Sequence, residues 1–324
     1  MQKKNKKKLS LLLLLLILVQ SCSIFNSRLE TSENPKESNI ITSDIENFYQ
    51  AFDLATKDSA NAESLFNKYY FKKGSPGLND FYKTKIQSKE KFTEFVLAFE
   101  DYYQSIKKDI SNLNDLGNQI DSNFQEFENL YPQARFPDVY FLVGKFQSNG
   151  TISNEGLLIG TEMLAKTPDS DTVNWNEDIL RITLERKHIP ITVSHEIIHF
   201  NQDKMKDGNT LLWKSIREGS AEFIAELIGG ETDADYSKFK GREMEIWNDF
   251  KKEKNKSIWR SWQQESEERP RNAGYWMGYI ICKAYYEQIQ DPEKTVQDIL
   301  SIEDYSEFLR KSKVEQYIQK NFGT

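Results

Sequence analysis

The chain has 324 residues, of which 38% are hydrophobic and 29% are charged, and its formal net charge is −7. This composition is typical of a globular protein rich in helix, and the length is enough for one large domain or two small ones with a buried core. Because no basic patch stands out beyond the extreme N-terminus, we expect no nucleic-acid partner.

The N-terminus predicts an export signal. A basic segment, MQKKNKKK, precedes an apolar run that is short for a membrane span. Cys22 follows Val19-Gln20-Ser21, a pattern that resembles the lipobox of bacterial lipoproteins and implies cleavage before Cys22 and lipidation of its thiol. An uncleaved anchor or an ordinary signal peptide is the alternative. Ser23, with no charge directly after it, resembles lipoproteins of the outer membrane, so we expect a lipid-anchored protein of the bacterial cell envelope.

The domain organisation follows from changes in composition. After the signal of residues 1–21, residues 22–41 are polar, which predicts a flexible tether between the lipid and the folded part. We expect a single domain over residues 42–324. Its first part, residues 42–135, has aromatic residues at helical spacing and is predicted to be mostly helical, whereas residues 136–324 hold the candidate site.

The pattern then becomes that of strands, at residues 137–146 and 155–164. Asn149-Gly150 between them is a strong turn signal, so the two segments predict a hairpin. Residues 181–187 fit either a third strand or the end of a helix. Further helices are predicted at residues 190–204, 210–228, 235–254, 272–290, 294–301 and 303–321. The predicted fold class is therefore α+β, predominantly helical, with a small and mostly antiparallel sheet beside the first of these helices.

Two of the three histidines stand four residues apart in the stretch ITVSHEIIHFNQ, residues 191–202. On a helix, His195 and His199 project from one face and could bind one metal ion, while Glu196 could reach a water molecule on that metal. The neighbouring residues are apolar, which predicts a buried helix, where histidines and glutamates are unfavourable unless they are paired or ligated. A chance match on a packed helix is the alternative interpretation.

A third ligand is expected, because a catalytic zinc site usually has three protein ligands and one open position. Glu218 follows His199 after a gap of 18 residues, near the start of a predicted helix, and small residues after it would let two helices approach closely. Glu222, one helical turn later, is the candidate partner for the second ring nitrogen of a ligating histidine. A solvated helix face is the alternative interpretation of these glutamates. His188 is expected to lie apart, on a loop or strand.

The segments HEIIH and EGSAEF, with this spacing, resemble the gluzincin zinc metallopeptidases, among them aminopeptidase N and thermolysin. Together with the signal, GLLIGTE and GYWMGYIICKAYYE, they more closely resemble a bacterial family of predicted zinc-dependent proteases, to which gliding-motility lipoproteins are distantly related. The resemblance covers about residues 80–315. It implies that His195, His199 and Glu218 bind one Zn²⁺ per chain and that Glu196 is the general base. Co²⁺ or Mn²⁺ could bind the same ligands.

The strand at residues 156–164 resembles the edge strand along which gluzincins bind an extended peptide. It contains GTEML in place of the substrate motif of aminopeptidase N, so aminopeptidase specificity is not implied. A donor for the tetrahedral oxyanion is sought in RPRNAGYWMGY, which offers Tyr275, Tyr279, Arg269 and Arg271. Tyr275 is the first choice because gluzincins commonly supply a tyrosine or histidine downstream of the third ligand, although a core aromatic position is the alternative.

The predicted function is a membrane-anchored zinc metallopeptidase that hydrolyses a peptide or protein substrate in the cell envelope. Glu196 would take a proton from the zinc-activated water and pass it to the leaving amine. The alternative is a non-proteolytic, gliding-related binding lipoprotein with a relict or structural metal site. A structural zinc site is normally closed by four protein ligands. Apart from Cys22 the chain has only Cys282, which lies among apolar residues and is predicted to be a buried structural thiol.

Overall fold

The computed structural model describes residues 31–172, 175, 177–232 and 234–323. The predicted signal peptide and Cys22 lie outside the described residues. Within them the chain is mostly helical and contains one small sheet, which confirms the predicted α+β class. Cys282 is buried and free, as predicted.

The first part of the domain is helical, as predicted. Its six α-helices are α1 (Ser43–Ala55), α2 (Ala62–Tyr69), α3 (Pro76–Phe81), α4 (Lys89–Ala98), α5 (Glu100–Ile110) and α6 (Asn114–Leu130). Rings of α1, α2 and α4 form the centre of its core, where Phe48 contacts both Phe66 (5.9 Å between ring centroids) and Phe92 (6.2 Å). These aromatic residues at helical spacing are therefore core residues, each buried to the point of negligible exposure.

The sheet has four short strands: β1 (Ile40–Ile41), β2 (Val139–Leu142), β3 (Gly150–Ile152) and β4 (Leu157–Gly160). Their order is β1-β2-β4-β3, and only the pair β3–β4 is antiparallel. The prediction of a mostly antiparallel sheet was therefore wrong, as was the hairpin of the two apolar segments, because β2 and β4 run parallel. Both strands are buried at every residue, and such continuous apolar runs are typical of parallel strands.

The predicted tether overlaps the folded domain at its C-terminal end. Ile40 and Ile41 form β1 and pair with Val139 and Tyr140 of β2. Ser32 forms an isolated bridge with Phe136. The tether prediction for residues 22–41 is thus wrong for its last part, because these residues satisfy backbone hydrogen-bonding groups of β2 that would otherwise lie at an open sheet edge.

The second part of the domain holds the remaining α-helices of the described residues. They are α7 (Glu177–Ile182), α8 (Ile189–Phe200), α9 (Leu211–Gly229), α10 (Glu243–Glu253), α11 (Trp259–Gln263), α12 (Ala273–Ile289), α13 (Pro292–Leu300), α14 (Tyr305–Ser312) and α15 (Val314–Phe322). Residues 181–187 contain the end of a helix, which was one of the two alternatives. The helix predicted at 303–321 is divided, since Lys313 adopts a left-handed φ of 50°.

Three helices and the sheet position the candidate site. α8 packs against β3, β4 and α9, and α9 packs against α12. Two glycines allow the close contact of α9 with α12: a Cβ at Gly219 would lie 2.1 Å from the backbone nitrogen of Tyr279, and one at Gly278 would lie 1.7 Å from the carbonyl oxygen of Ser215. Gly219 therefore serves contact with α12 rather than the expected approach of α9 to the helix of the two histidines.

Candidate metal centre

α8 carries the two histidines on a largely buried helix. Pro190 stands in its first turn, where the missing N–H leaves no helical hydrogen bond unmade, and most of the following residues are buried. His195 and His199 are the partly exposed exceptions, with 18% and 12% of their side chains accessible. Their ring centroids are 4.7 Å apart. The helical period thus places both imidazoles side by side at the surface of α8, as predicted.

α9 brings the third predicted ligand to this pair. The helix begins after Thr210, whose hydroxyl accepts a hydrogen bond from the backbone of Trp213, and Glu218 lies two turns further on. Its Oε2 is 3.3 Å from Nε2 of His199 and 3.9 Å from Nε2 of His195. All three ligand atoms lie within 4.8 Å of one another.

These separations fit a zinc site. Ligand atoms bound to Zn²⁺ at about 2.1 Å in tetrahedral geometry are about 3.4 Å apart. The separation from His199 to Glu218 is close to this value, and a small side-chain rotation would bring His195 to it. Two imidazoles and a carboxylate are also the donor set of catalytic zinc sites. His188 does not belong to this group of ligand atoms, in agreement with its predicted place apart.

The electrostatic environment favours a cation. Burial acts to raise the pKa of Glu218, but His199, Lys214 and His195 hold it well below its usual range, so this carboxylate is ionised. Burial acts to lower the pKa of His199, and the adjacent Glu218 carboxylate more than offsets this and raises it. The same negative charge would stabilise a divalent cation bound between Glu218 and the imidazoles, with loss of any proton on the ligating nitrogen.

Each histidine has a polar partner at its outer nitrogen. Nδ1 of His199 is 2.8 Å from Oε1 of Gln202, whose Nε2 donates to Oγ of Ser220 on α9 (2.9 Å). Nδ1 of His195 faces Oε1 of Glu222 at 3.7 Å, beyond hydrogen-bond length but on the predicted side. Gln202 was missed from the sequence, and its position three residues after His199, within one helical turn, was the available signal.

Glu196 lies between the histidines and the edge of the sheet. It is 8% exposed, and burial raises the pKa of its carboxyl group, while His199 and His195 act in the opposite direction. A Cβ at Gly150 would lie 2.6 Å from Cγ and 2.7 Å from Oε1 of Glu196, so the glycine leaves room for the Glu196 side chain in its present position. The edge strand on this side of the sheet is β3, and the expectation that residues 156–164 form an edge strand was wrong, because β4 pairs on both sides.

Of the four predicted donors, Tyr275 lies beside the candidate metal ligand Glu218. Burial, together with the charges of Glu218 and Glu222, raises the pKa of Tyr275 well above its usual value, and its hydroxyl lies within hydrogen-bonding reach of Glu218. Tyr279 donates to Glu226 instead. The other two donors are not brought there either: the guanidinium of Arg269 stacks on a tryptophan ring and Arg271 is exposed.

A lysine that sequence reasoning missed completes the surroundings of the third ligand. Nζ of Lys214, one helical turn before Glu218 on α9, is 2.6 Å from its Oε1. The two carboxylate oxygens therefore face different groups: Oε2 faces the imidazoles and Oε1 faces the ammonium. The i, i+4 spacing of lysine and glutamate was visible in the sequence but is common on helix surfaces and did not single out this pair.

Comparisons with known proteins give one family. Neither the curated proteins nor the solved structures contain a match, so the resemblance to gluzincin peptidases rests on the metal-site residues alone. Of the helices in the described part of the chain, none is long and apolar enough to cross a membrane. The family model described as gliding motility protein GldB matches residues 30–316. The relation to gliding-motility lipoproteins, which was predicted to be distant, is therefore direct, and no comparison supports the predicted family of zinc-dependent proteases. The chain belongs to the GldB lipoprotein family.

Proposed function

We propose that this chain is a zinc-dependent peptide hydrolase anchored in the bacterial cell envelope. The observation that carries the proposal is the convergence of two Nε2 atoms, from His195 and His199, and one carboxylate oxygen of Glu218, with a fourth ionisable group, Glu196, beside them. Three protein ligands leave one position of a tetrahedral ion open, which is the arrangement of a catalytic rather than a structural zinc site.

The proposed division of roles follows from the positions of the side chains. A zinc ion held here would supply Lewis-acid polarisation of a carbonyl and a lowered pKa for water. Glu196 would hold the proton removed from that water and transfer it to the leaving amine, and burial raises its pKa toward the range that suits both steps. Tyr275 remains protonated and can donate a hydrogen bond to developing negative charge.

The sheet suggests how a substrate would be oriented. β3 pairs with β4 on one side only, and in the described chain no strand pairs with its other edge. Glu196 lies against Gly150 of that strand. An extended peptide added to the free edge would receive main-chain hydrogen bonds and would pass the proposed general base. This supports a peptide substrate over a small globular ligand.

The decisive variant is Glu196→Gln, with Glu245→Gln on the exposed face of α10 as the matched control. The protein without residues 1–22 is incubated with a mixed peptide library, and its zinc content is measured in parallel. Loss of a general base lowers the rate by about 10²–10⁴-fold. We expect this loss with zinc retained in Glu196→Gln and no loss in the control. Equal cleavage by both variants would refute the proposal.

A second candidate is a non-proteolytic lipoprotein of the gliding apparatus in which the metal is structural. Family membership favours this candidate, since the description of the family names gliding motility and no hydrolysis. The two candidate functions predict different effects of the same substitutions in the cell. The hydrolase predicts that Glu196→Gln abolishes the cellular function, whereas a structural site predicts that only removal of a ligand, as in His199→Ala, does so.

A further inference from the structure

Lys214 and Glu218 form a short ion pair at an unusual place. Nζ of Lys214 is 2.6 Å from Oε1 of Glu218, and the side chain of the lysine is 29% accessible while that of the glutamate is 9% accessible. Oε2 of the same glutamate faces the two histidines. The pair thus links a solvent-accessible ammonium to a buried carboxylate that the proposed zinc site uses as a ligand.

Helix stability does not explain the pair. Lysine precedes glutamate by four residues on α9, and this order stabilises a helix less than the reverse order. A partly exposed pair of this kind contributes little to the stability of the fold. The ion pair therefore matters more for the orientation of the Glu218 carboxylate than for the stability of α9.

Two aromatic rings lie beside the ammonium and favour this position. Nζ of Lys214 lies 5.7 Å from the ring centroid of Trp213 and 5.9 Å from that of Trp259. Trp259 is itself fixed against α12, since a Cβ at Gly274 would lie 2.5 Å from its ring, and its ring contacts that of Tyr275 at 5.2 Å. Cation–π attraction from two rings thus limits where the lysine can place its charge.

We propose that Lys214 is a positioning residue that keeps Glu218 a ligand through one oxygen only. A carboxylate can bind a metal through one or both oxygens, and the second oxygen would occupy the position that a catalytic site leaves open. With Oε1 held by the ammonium, only Oε2 is directed at the metal. The inference rests on the proposed zinc site and adds the residue that keeps its fourth position available.

The test uses Co²⁺, whose visible spectrum reports coordination number, in the protein without residues 1–22. The variants are Lys214→Met, which retains a stem over the two rings but has no charge, Lys214→Arg as the charge-conserving rescue, and Lys238→Met as a control on the exposed surface. A further ligand weakens the visible absorption of a tetrahedral Co²⁺ site, so we expect Lys214→Met to lose roughly half of it or more. Lys214→Arg and the control should match the wild type.

The outcomes separate the inference from the function on which it rests. If the wild-type protein binds Co²⁺ and Lys214→Met gives the same spectrum, the positioning role is refuted and the metal site stands. If the wild-type protein binds neither Co²⁺ nor Zn²⁺, the positioning role of Lys214 and the proposed zinc site are both refuted. Circular dichroism checks folding, and Lys214→Gln replaces Lys214→Met if the latter does not fold.

Discussion

Gln202 joins the two helices that carry the proposed metal ligands. Its Oε1 lies 2.8 Å from Nδ1 of His199 on α8, and its Nε2 donates to Ser220 and to the carbonyl of Arg217 on α9. The side chain is fully buried. An amide that donates twice to α9 has its oxygen directed at the imidazole, which fixes the ring with Nε2 free for a metal.

Replacing this amide should weaken metal binding at the proposed site. We predict that Gln202→Ala lowers zinc affinity by about 10–100-fold, because the outer partner of a ligating histidine orients the ring. Titration against a competing zinc chelator measures the effect, with Gln319→Ala on the exposed face of α15 as a matched control. Unchanged affinity in Gln202→Ala would mean that packing alone orients His199.

The residues of the candidate metal site could be predicted only in part from the sequence. The two histidines and Glu196 are brought together by the local period of one helix, so the sequence contains their arrangement. Glu218 could be proposed from its separation along the chain. Gln202 and Lys214 stand at local spacings from His199 and Glu218, but such spacings are common on helices and did not single them out. Only the contacts of Gln202 with Arg217 and Ser220 depend on how α9 lies against α8, which no local pattern specifies.

Glu162 offers a pH-dependent test of the fold near the sheet. Its carboxylate accepts hydrogen bonds from the backbone of Gly144 (2.8 Å) and Phe146 (3.0 Å), yet burial raises its pKa from 4.5 to about 7. The folded protein therefore favours the protonated form. The resulting stabilisation is present below the unfolded value of 4.5 and is lost as pH rises to about 7, by up to about 3 kcal/mol.

The comparison with Glu162→Gln isolates this contribution from that of other groups. We predict that the free energy of unfolding of the wild type, minus that of Glu162→Gln, decreases as pH rises from 4.5 to about 7. Urea unfolding at several pH values measures it. A difference that stays constant or grows over this interval would contradict the assigned direction of the pKa shift.

At the scale of elements, the crossing of α9 and α12 holds the site together. Glu218 and Tyr275 reach each other from these two helices. The crossing depends on Gly219 and Gly278, at which any side chain would meet backbone atoms of the opposite helix. Backbone atoms cannot rotate aside as side chains do, so an added methyl group must separate the helices.

Gly278→Ala should therefore be destabilising by about 1–3 kcal/mol or more, because its Cβ would lie 1.7 Å from the carbonyl oxygen of Ser215. Gly117→Ala on α6 is the matched control. The nearest atom to its Cβ is 3.7 Å away, and alanine favours a helix over glycine by up to about 1 kcal/mol. Chemical denaturation should show opposite signs for the two variants. Equal changes in the free energy of unfolding for the two variants would show that α9 and α12 can move apart without loss of stability.

The sequence predicted two strands of the sheet, β2 and β4, but not how they pair. The apolar segments that contain β2 and β4 were identified, but their pairing was not, since an apolar run buried on both faces looks alike in parallel and antiparallel sheets. Asn149-Gly150 suggested a turn between them. Gly150 instead begins β3, where the absence of a side chain makes room for Glu196.

At the scale of the whole molecule, the domain extends from the segment before β1 to α15, and the family match covers nearly the same residues, 30–316. The lipid anchor predicted at Cys22 would be separated from Thr31, the first described residue, by residues 23–30 alone. A domain attached so closely would act on substrates or partners near the membrane surface. This agrees with an envelope lipoprotein of the gliding motility family.

We propose that this member of the GldB family holds a metal ion between α8 and α9. The most direct measurement is the zinc content of the protein without residues 1–22, purified without chelators, beside His199→Ala and the control His188→Ala. We predict close to one zinc per chain in the wild type and in His188→Ala, and none retained in His199→Ala. Negligible zinc in the wild type after incubation with excess zinc, or equal zinc in all three proteins, would contradict the claim.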